Sequence, residues 1–173
     1  MSIGLLLQPD LVLDGPVLKL TPSILERHSL KGLILDVDET LVPFSSAEAS
    51  AELLQWAVEI KQVATLHLVS NNLSEARIQR IAHALAVPYT FGARKPSRRK
   101  VRQAFVEMNL PMAQVAMVGD RLFTDVLAGN RLGLFTVLVE PMVDPDHLVR
   151  RHFVRTFEVW ISQKLGASLK HPG

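Results

Sequence analysis

The chain has 173 residues, 48% hydrophobic and 21% charged, which is enough for one sizeable core and excludes a disordered chain, a collagen-like repeat and a disulfide miniprotein. With no cysteine, structural disulfides, thiolate metal sites and cysteine nucleophiles drop out together, and a reducing, cytoplasmic setting is expected. A net charge of +2 supplies no global field for nucleic acid, so basic character is local, concentrated in Arg94, Lys95, Arg98, Arg99, Lys100 and Arg102 and again after Asp146.

Residues 2–7 form a short apolar stretch that soon meets Pro9 and Asp10, unlike a secretory signal, and no apolar run has the length of a membrane span. The whole of 1–173 is expected to be one domain, with a motif-bearing core over about 32–140, an N-terminal extension over 1–31 and a C-terminal helix over about 145–165. A buried strand is predicted over 33–37, then a helix reaching about residue 62 with Ser45 and Glu48 as its capping box. A second strand covers 65–69. Ser74 opens a helix whose Ile78, Ile81, Ala82 and Leu85 follow the i, i+3, i+4, i+7 rhythm.

A short strand at 89–91 precedes a basic helix expected to bury Val101, Phe105 and Met108. Residues 114–118 form another strand, 124–132 a helix stopped by Gly133, and 134–139 a last strand. The tail helix carries an apolar stripe through Phe153, Phe157, Trp160 and Ile161. Trp56 and Trp160 are expected to be core or edge aromatics, Met112 and Met117 core filling, and the six histidines show no ligand spacing. Short apolar runs alternating with helical patterns give an α/β fold: a three-layer, Rossmann-like, open and mostly parallel sheet with helices on both faces.

In such a sheet, ligands bind outside the carboxyl ends of the strands. Four strands end in polar groups: Asp36-Val37-Asp38-Glu39-Thr40-Leu41, Ser70-Asn71-Asn72, Arg94-Lys95-Pro96, and Gly119-Asp120 with Asp125 five residues later. Singly, each also reads as a helix cap, a turn or a solvated side chain. Jointly and in this order, they carry the logic of phosphoryl transfer. Converging carboxylates repel one another unless a cation sits between them, and hard oxygen ligands around an open site favour Mg²⁺. With the repulsion offset, a carboxylate can attack phosphorus. A second acid two residues on can protonate the leaving oxygen and later activate water.

These four stretches resemble the ordered motifs of the haloacid dehalogenase (HAD) superfamily of phosphatases, over roughly residues 32–140. Leu7 to Leu11, the Val-Asp-Glu-Thr-Leu-Val-Pro run ending at Pro43, and Ser70 to Asn72 resemble more narrowly the YqeG family, a subfamily IIIA branch. The resemblance implies Asp36 as a nucleophile forming an aspartyl-phosphate and Asp38 as general acid and base. It implies Ser70, Asn71 and Lys95 around the phosphoryl group. Mg²⁺ would lie on Asp36, the main-chain carbonyl of Asp38 and Asp120, with Asp125 acting through water or by orienting Lys95 and Thr40 supporting the loop. Glu39 stands where related chains often have asparagine or glycine, and is read as a solvent-facing residue without a catalytic role.

The presence of Asp38 favours hydrolysis over a long-lived phosphoenzyme. About thirty residues separate Asp38 from Ser70 and twenty-four lie between Ser70 and Lys95, which leaves no room for a cap domain. The site is therefore expected to admit large substrates or to be covered by another subunit, so an oligomer stays open. Because YqeG relatives include phosphatidylglycerophosphate phosphatases, the resemblance implies a lipid phosphate monoester as leading substrate. A soluble sugar phosphate, a nucleic-acid end and a silent metal-binding scaffold are the alternatives. The basic segments leave two readings open: peripheral contact with an anionic membrane, or a solvated face for the 94–102 helix and packing against the sheet for the tail helix.

Overall fold

The computed structural model describes residues 3–142; the expected tail helix, with Trp160, His147, His152 and the basic residues beyond Asp146, lies outside them. The chain opens with one turn of helix, α1 (Ile3–Leu6), and a two-residue strand, β1 (Leu11–Val12). A short helix, α2 (Pro22–Arg27), is capped by the Thr21 side chain on the Ile24 N–H, with proline at its first position. Strand β2 (Gly32–Leu35) is buried throughout, as a strand covered on both faces must be.

Helix α3 (Ala51–Ile60) follows, then β3 (Thr65–Val69), α4 (Glu75–Leu85), β4 (Tyr89–Thr90), α5 (Arg99–Met108) and β5 (Val115–Gly119). After β5 the chain makes a five-residue π-helical turn, Leu122–Val126, which runs into α6 (Leu127–Leu132), and β6 (Phe135–Leu138) completes the sheet. The six strands pair in the order β1-β6-β5-β2-β3-β4, parallel at every pairing. This is the expected three-layer α/β fold.

Alternation along the strands divides the core in two. Leu33 and Leu35 join Leu53, Trp56 and Ile60 of α3 and Ile78, Ile81 and Leu85 of α4 on one face. Ile34, between them in sequence, joins Val101 and Ala104 of α5, Met117 and Ala128 of α6 on the other. Trp56 is buried as expected, and its indole N–H donates to the Leu20 carbonyl at 2.8 Å.

Several sequence expectations need correction. The capping box at Ser45 and Glu48 does not form. The helix cap falls five residues later, where the Ser50 hydroxyl accepts the Leu53 N–H at 3.2 Å, because the main chain through Ser46 is committed to the loop beside Asp38. Phe105 and Met108 are only partly buried, since the close-packed side of α5 is Val101 and Ala104. Met112 is 43% exposed, whereas Met117, on a central strand, is buried. The helix expected over 124–132 starts earlier, as the π turn, where Leu122 and Val126 pack on Leu138.

The N-terminal extension also supplies a strand that its sequence does not advertise. Strand β1 pairs with β6, and side chains stitch the two together. The Asp10 carboxylate accepts the Thr136 N–H at 2.8 Å and lies 2.9 Å from the Thr136 hydroxyl, which in turn accepts the Asp10 N–H at 3.1 Å. The Asn130 amide donates to the carbonyls of Leu6 and Gln8 at 2.9 and 2.8 Å. Thr136→Val keeps the shape and removes the hydroxyl, so it should lower unfolding free energy by about 1–2 kcal/mol in urea titrations. Unchanged stability would mean that this stitch contributes nothing to holding the first strand.

Candidate active site

Four strand ends meet at the carboxyl edge of the sheet. Asp36 follows β2 directly, and its N–H donates to the Val118 carbonyl at 2.9 Å, which fixes it beside β5. The chain then folds back sharply: the Leu41 N–H reaches Val37 at 3.0 Å and the Glu39 N–H reaches Val42 at 2.7 Å. This turn holds Glu39 at φ +67, a left-handed conformation that glycine and asparagine adopt with least strain. It also carries Glu39 inward. The residue is 5% exposed, so the expected solvent-facing position is wrong: its carbonyl accepts the Met142 N–H at 2.5 Å, drawing it under the chain.

Lys95 is 5% exposed. Its ammonium donates to Asp36 Oδ1 at 2.6 Å and to the Val69 carbonyl at 2.9 Å, and forms an ion pair with Asp125 Oδ1 at 2.7 Å. The Asn71 amide binds the main chain of Lys95 from both ends, accepting its N–H at 2.6 Å and donating to its carbonyl at 3.1 Å. Thr40 Oγ1 lies 3.3 Å from both Asp36 Oδ2 and Asp120 Oδ1. Thus Asp36, Thr40, Lys95, Asp120 and Asp125 meet in one buried cluster.

Asp38 and Ser70 stand beside it. The Ser70 hydroxyl donates to Asp38 Oδ2 at 3.1 Å and accepts the Asn72 N–H at 3.0 Å. The other oxygen of Asp38 is held by Arg77, whose Nη1 lies 2.5 Å from Oδ1. Arg77 is the site residue that sequence reasoning missed. It precedes Ile78 in the first turns of an amphipathic helix, where an arginine reads as a solvated side chain, and its partners lie more than thirty positions away.

The charges are out of balance. Burial pushes the Asp36 carboxyl up to about 6; Lys95 opposes the rise and Asp125 adds to it. Burial, and then the neighbouring Asp36 and Asp125, hold Asp120 well above the usual carboxylate range. Burial alone would depress Lys95, but Asp125 and Asp36 outweigh it and raise the ammonium above its ordinary value. Lys95 pairs directly with Asp36 and Asp125, while Arg121 and Lys95 only partly offset the burial of Asp120. Oxygen atoms of Asp36, Asp120 and Asp125 lie within 4.8 Å of one another, and this hard, anionic donor set fits a divalent cation.

Gly119 makes the approach of Asp125 possible. A Cβ there would overlap the carboxylate and Cβ of Asp125. Gly119→Ala should therefore cost about 1–3 kcal/mol of stability by overpacking, and combining it with Asp125→Gly, which removes every overlapping side-chain atom, should cost less than the sum of the two single changes. Equal unfolding free energies for Gly119→Ala and the native chain would show that Asp125 moves aside freely.

Residues 92–151 match the HAD-hydrolase-like family. The "Probable phosphatase YqeG" of Bacillus subtilis (strain 168) is 31% identical over 157 residues, 91% of this chain and 88% of that one. The chloroplastic/mitochondrial phosphatidylglycerophosphate phosphatase 1 of Arabidopsis thaliana is 30% identical over 131 residues, which span 69% of this chain and 37% of that protein. The crystal structure of an uncharacterized protein from Listeria monocytogenes serotype 4b shares the fold, with a TM-score of 0.51 at 15% identity over 74% of this chain and 99% of that one. With such a relative aligned along nine-tenths of its length, the chain belongs to the YqeG family of HAD phosphatases.

Proposed function

We propose that the chain is a Mg²⁺-dependent phosphomonoesterase working through an aspartyl-phosphate on Asp36, with phosphatidylglycerophosphate as its leading substrate. The observation that carries the chemistry is the buried cluster in which Lys95 lies 2.6 Å from Asp36 and three carboxylates converge within 4.8 Å. A carboxylate oxygen of Asp36 attacks phosphorus as the bond from phosphorus to the leaving oxygen breaks, and Asp38 gives that oxygen its proton. Asp38 then takes a proton from a water that attacks the phosphorylated Asp36, releasing inorganic phosphate and restoring the carboxylate.

Lys95 and the Ser70 hydroxyl hold the non-bridging oxygens, where fixed donors act without reorganisation. Asn71, committed to the main chain of Lys95, sets the phosphate-binding loop. Mg²⁺ would be held by Asp36, Asp120 and the main-chain carbonyl of Asp38, with Asp125 orienting Lys95, and its charge would offset repulsion between the carboxylates and an anionic ester.

The lipid reading rests on the loops that follow β2 and β3 at the carboxyl edge of the sheet. Single helices follow the loops after Asp38 and Ser70, and each loop carries an exposed apolar residue: Phe44 at 63% and Leu73 at 75%. Arg94, Arg98, Arg99 and Arg102 are exposed on the segment around Lys95 and on α5. Exposed apolar side chains together with exposed arginines suit the interface of an anionic bilayer. No helix of the described residues is long and apolar enough to cross one.

Purified protein should hydrolyse an aryl phosphate with Mg²⁺ and lose that turnover in excess chelator. Asp36→Asn should lose at least about a thousandfold in turnover, since the covalent route goes with the nucleophile. Chelator-resistant turnover would reject the metal dependence, and an active Asp36→Asn protein would reject the nucleophile.

On lipid vesicles, phosphate release from phosphatidylglycerophosphate should exceed that from sugar phosphates or nucleic-acid ends. Sedimentation with anionic vesicles should weaken by roughly tenfold or more in Phe44→Asp/Leu73→Asp, because burying such side chains contributes about 1.5–3 kcal/mol each. Preference for a soluble ester, with no vesicle binding at low salt, would overturn the lipid substrate and leave the phosphatase intact.

A further inference from the structure

Arg77 does more than neutralise Asp38. Its Nη1 is bound to Asp38 Oδ1 at 2.5 Å, its Nε donates to the Ser46 carbonyl at 2.8 Å, and its Nη2 donates to the Pro43 carbonyl at 3.1 Å. The guanidinium carbon also lies 5.8 Å from the centre of the Phe44 ring. One planar cation on α4 therefore grips the carboxylate and both ends of the 43–46 segment of the loop that follows it. Side-chain exposures of 13% for Arg77 and 19% for Asp38 remove much of the water that weakens surface ion pairs. A lysine could not make this set of contacts, because a guanidinium offers donors in a fixed fork and an ammonium does not.

The two oxygens of Asp38 are consequently unequal. Among the described residues, Oδ1 is engaged by Arg77, while Oδ2 is engaged by a hydroxyl, that of Ser70, at 3.1 Å. A hydroxyl can rotate toward an incoming phosphoryl oxygen, whereas Arg77 is tied at three points. We infer that Arg77 is a positioning residue: it locks Oδ1 and the 43–46 loop so that Oδ2 alone exchanges protons with the leaving group and with water. This rests on the proposed acid–base role of Asp38 and adds the residue that selects its working oxygen. Substrate entry then has a defined consequence, since the phosphoryl group that draws away the Ser70 hydroxyl also frees Oδ2.

The test compares the Mg²⁺-loaded enzyme on two soluble esters, p-nitrophenyl phosphate, whose leaving group departs without a proton, and an alkyl phosphate, whose leaving group needs one. Arg77→Ala and Arg77→Gln should lower kcat/KM for the alkyl ester at least about tenfold more than for the aryl ester, general acids being worth about a hundredfold or more. Arg77→Lys should restore less than half of that selective loss on a logarithmic scale. Circular dichroism and Tm establish that each variant is folded; should the alanine variant unfold, the glutamine and lysine variants carry the comparison.

Asp38→Asn is the control. It should show the same selective loss, and adding Arg77→Ala to it should change the alkyl-to-aryl ratio less than about twofold, because the arginine acts through the missing acid. If Asp38→Asn is selective and the Arg77 variants lose both esters equally, Arg77 is structural only, and the positioning role fails while the reading of Asp38 stands. If Asp38→Asn is itself unselective, the acid–base reading fails and the role of Arg77 falls with it.

Discussion

A buried ammonium has to be surrounded by acceptors, and the placement of Lys95 follows from that requirement. An unpaired charge at 5% exposure would cost several kcal/mol. The acceptors it finds come from three neighbouring strands: the Val69 carbonyl ends β3, Asp36 follows β2, and Asp125 lies in the turn after β5. These strands are adjacent in the sheet, in the order β5-β2-β3. Lys95 thus ties their carboxyl ends together. Gly119 lets Asp125 come close enough, and Asn71 holds the main chain from which the lysine reaches inward. The same site buries its carboxylates beside one another, so burial first, and then the neighbouring carboxylates, keep the Asp36 and Asp120 carboxyls raised although Lys95 opposes the rise.

Asp36 and Asp120 were legible in the sequence because each follows an apolar run that is buried throughout. Val115–Gly119 can only be a covered strand, so the polar group after it must lie at a sheet edge. Arg77 was not legible for the opposite reason. Its helix is amphipathic, and periodicity places it beside the buried ladder of Ile78, Ile81 and Leu85 without saying which loop lies across it. Strand β1 was hidden by its length: two residues have no period, and its hold on β6 comes from Asp10, Thr136 and Asn130 rather than from an apolar pattern. Ser45 and Glu48 had the spacing of a capping box, but a local signal gave way to tertiary hydrogen bonds on the Pro43 and Ser46 carbonyls. Glu39 misled because a polar residue at a turn ordinarily faces water, and only the left-handed backbone of this turn sends it inward.

The two acids of the first motif stand in different mechanical settings. Asp36 is fixed by its own N–H on β5, by Lys95 and by Thr40, all from buried groups. Asp38 is fixed by a helix side chain and a hydroxyl across a loop whose Phe44 is 63% exposed. In the proposed chemistry this difference suits the work. Stabilising charge that develops at phosphorus needs groups already in place, since any reorganisation adds to the barrier. An acid that must first protonate a departing oxygen and then deprotonate water needs one fixed edge and one edge free to change partners. A carboxylate built into the sheet like Asp36 could not provide that. One held by Arg77 at Oδ1, with a serine hydroxyl at Oδ2, can.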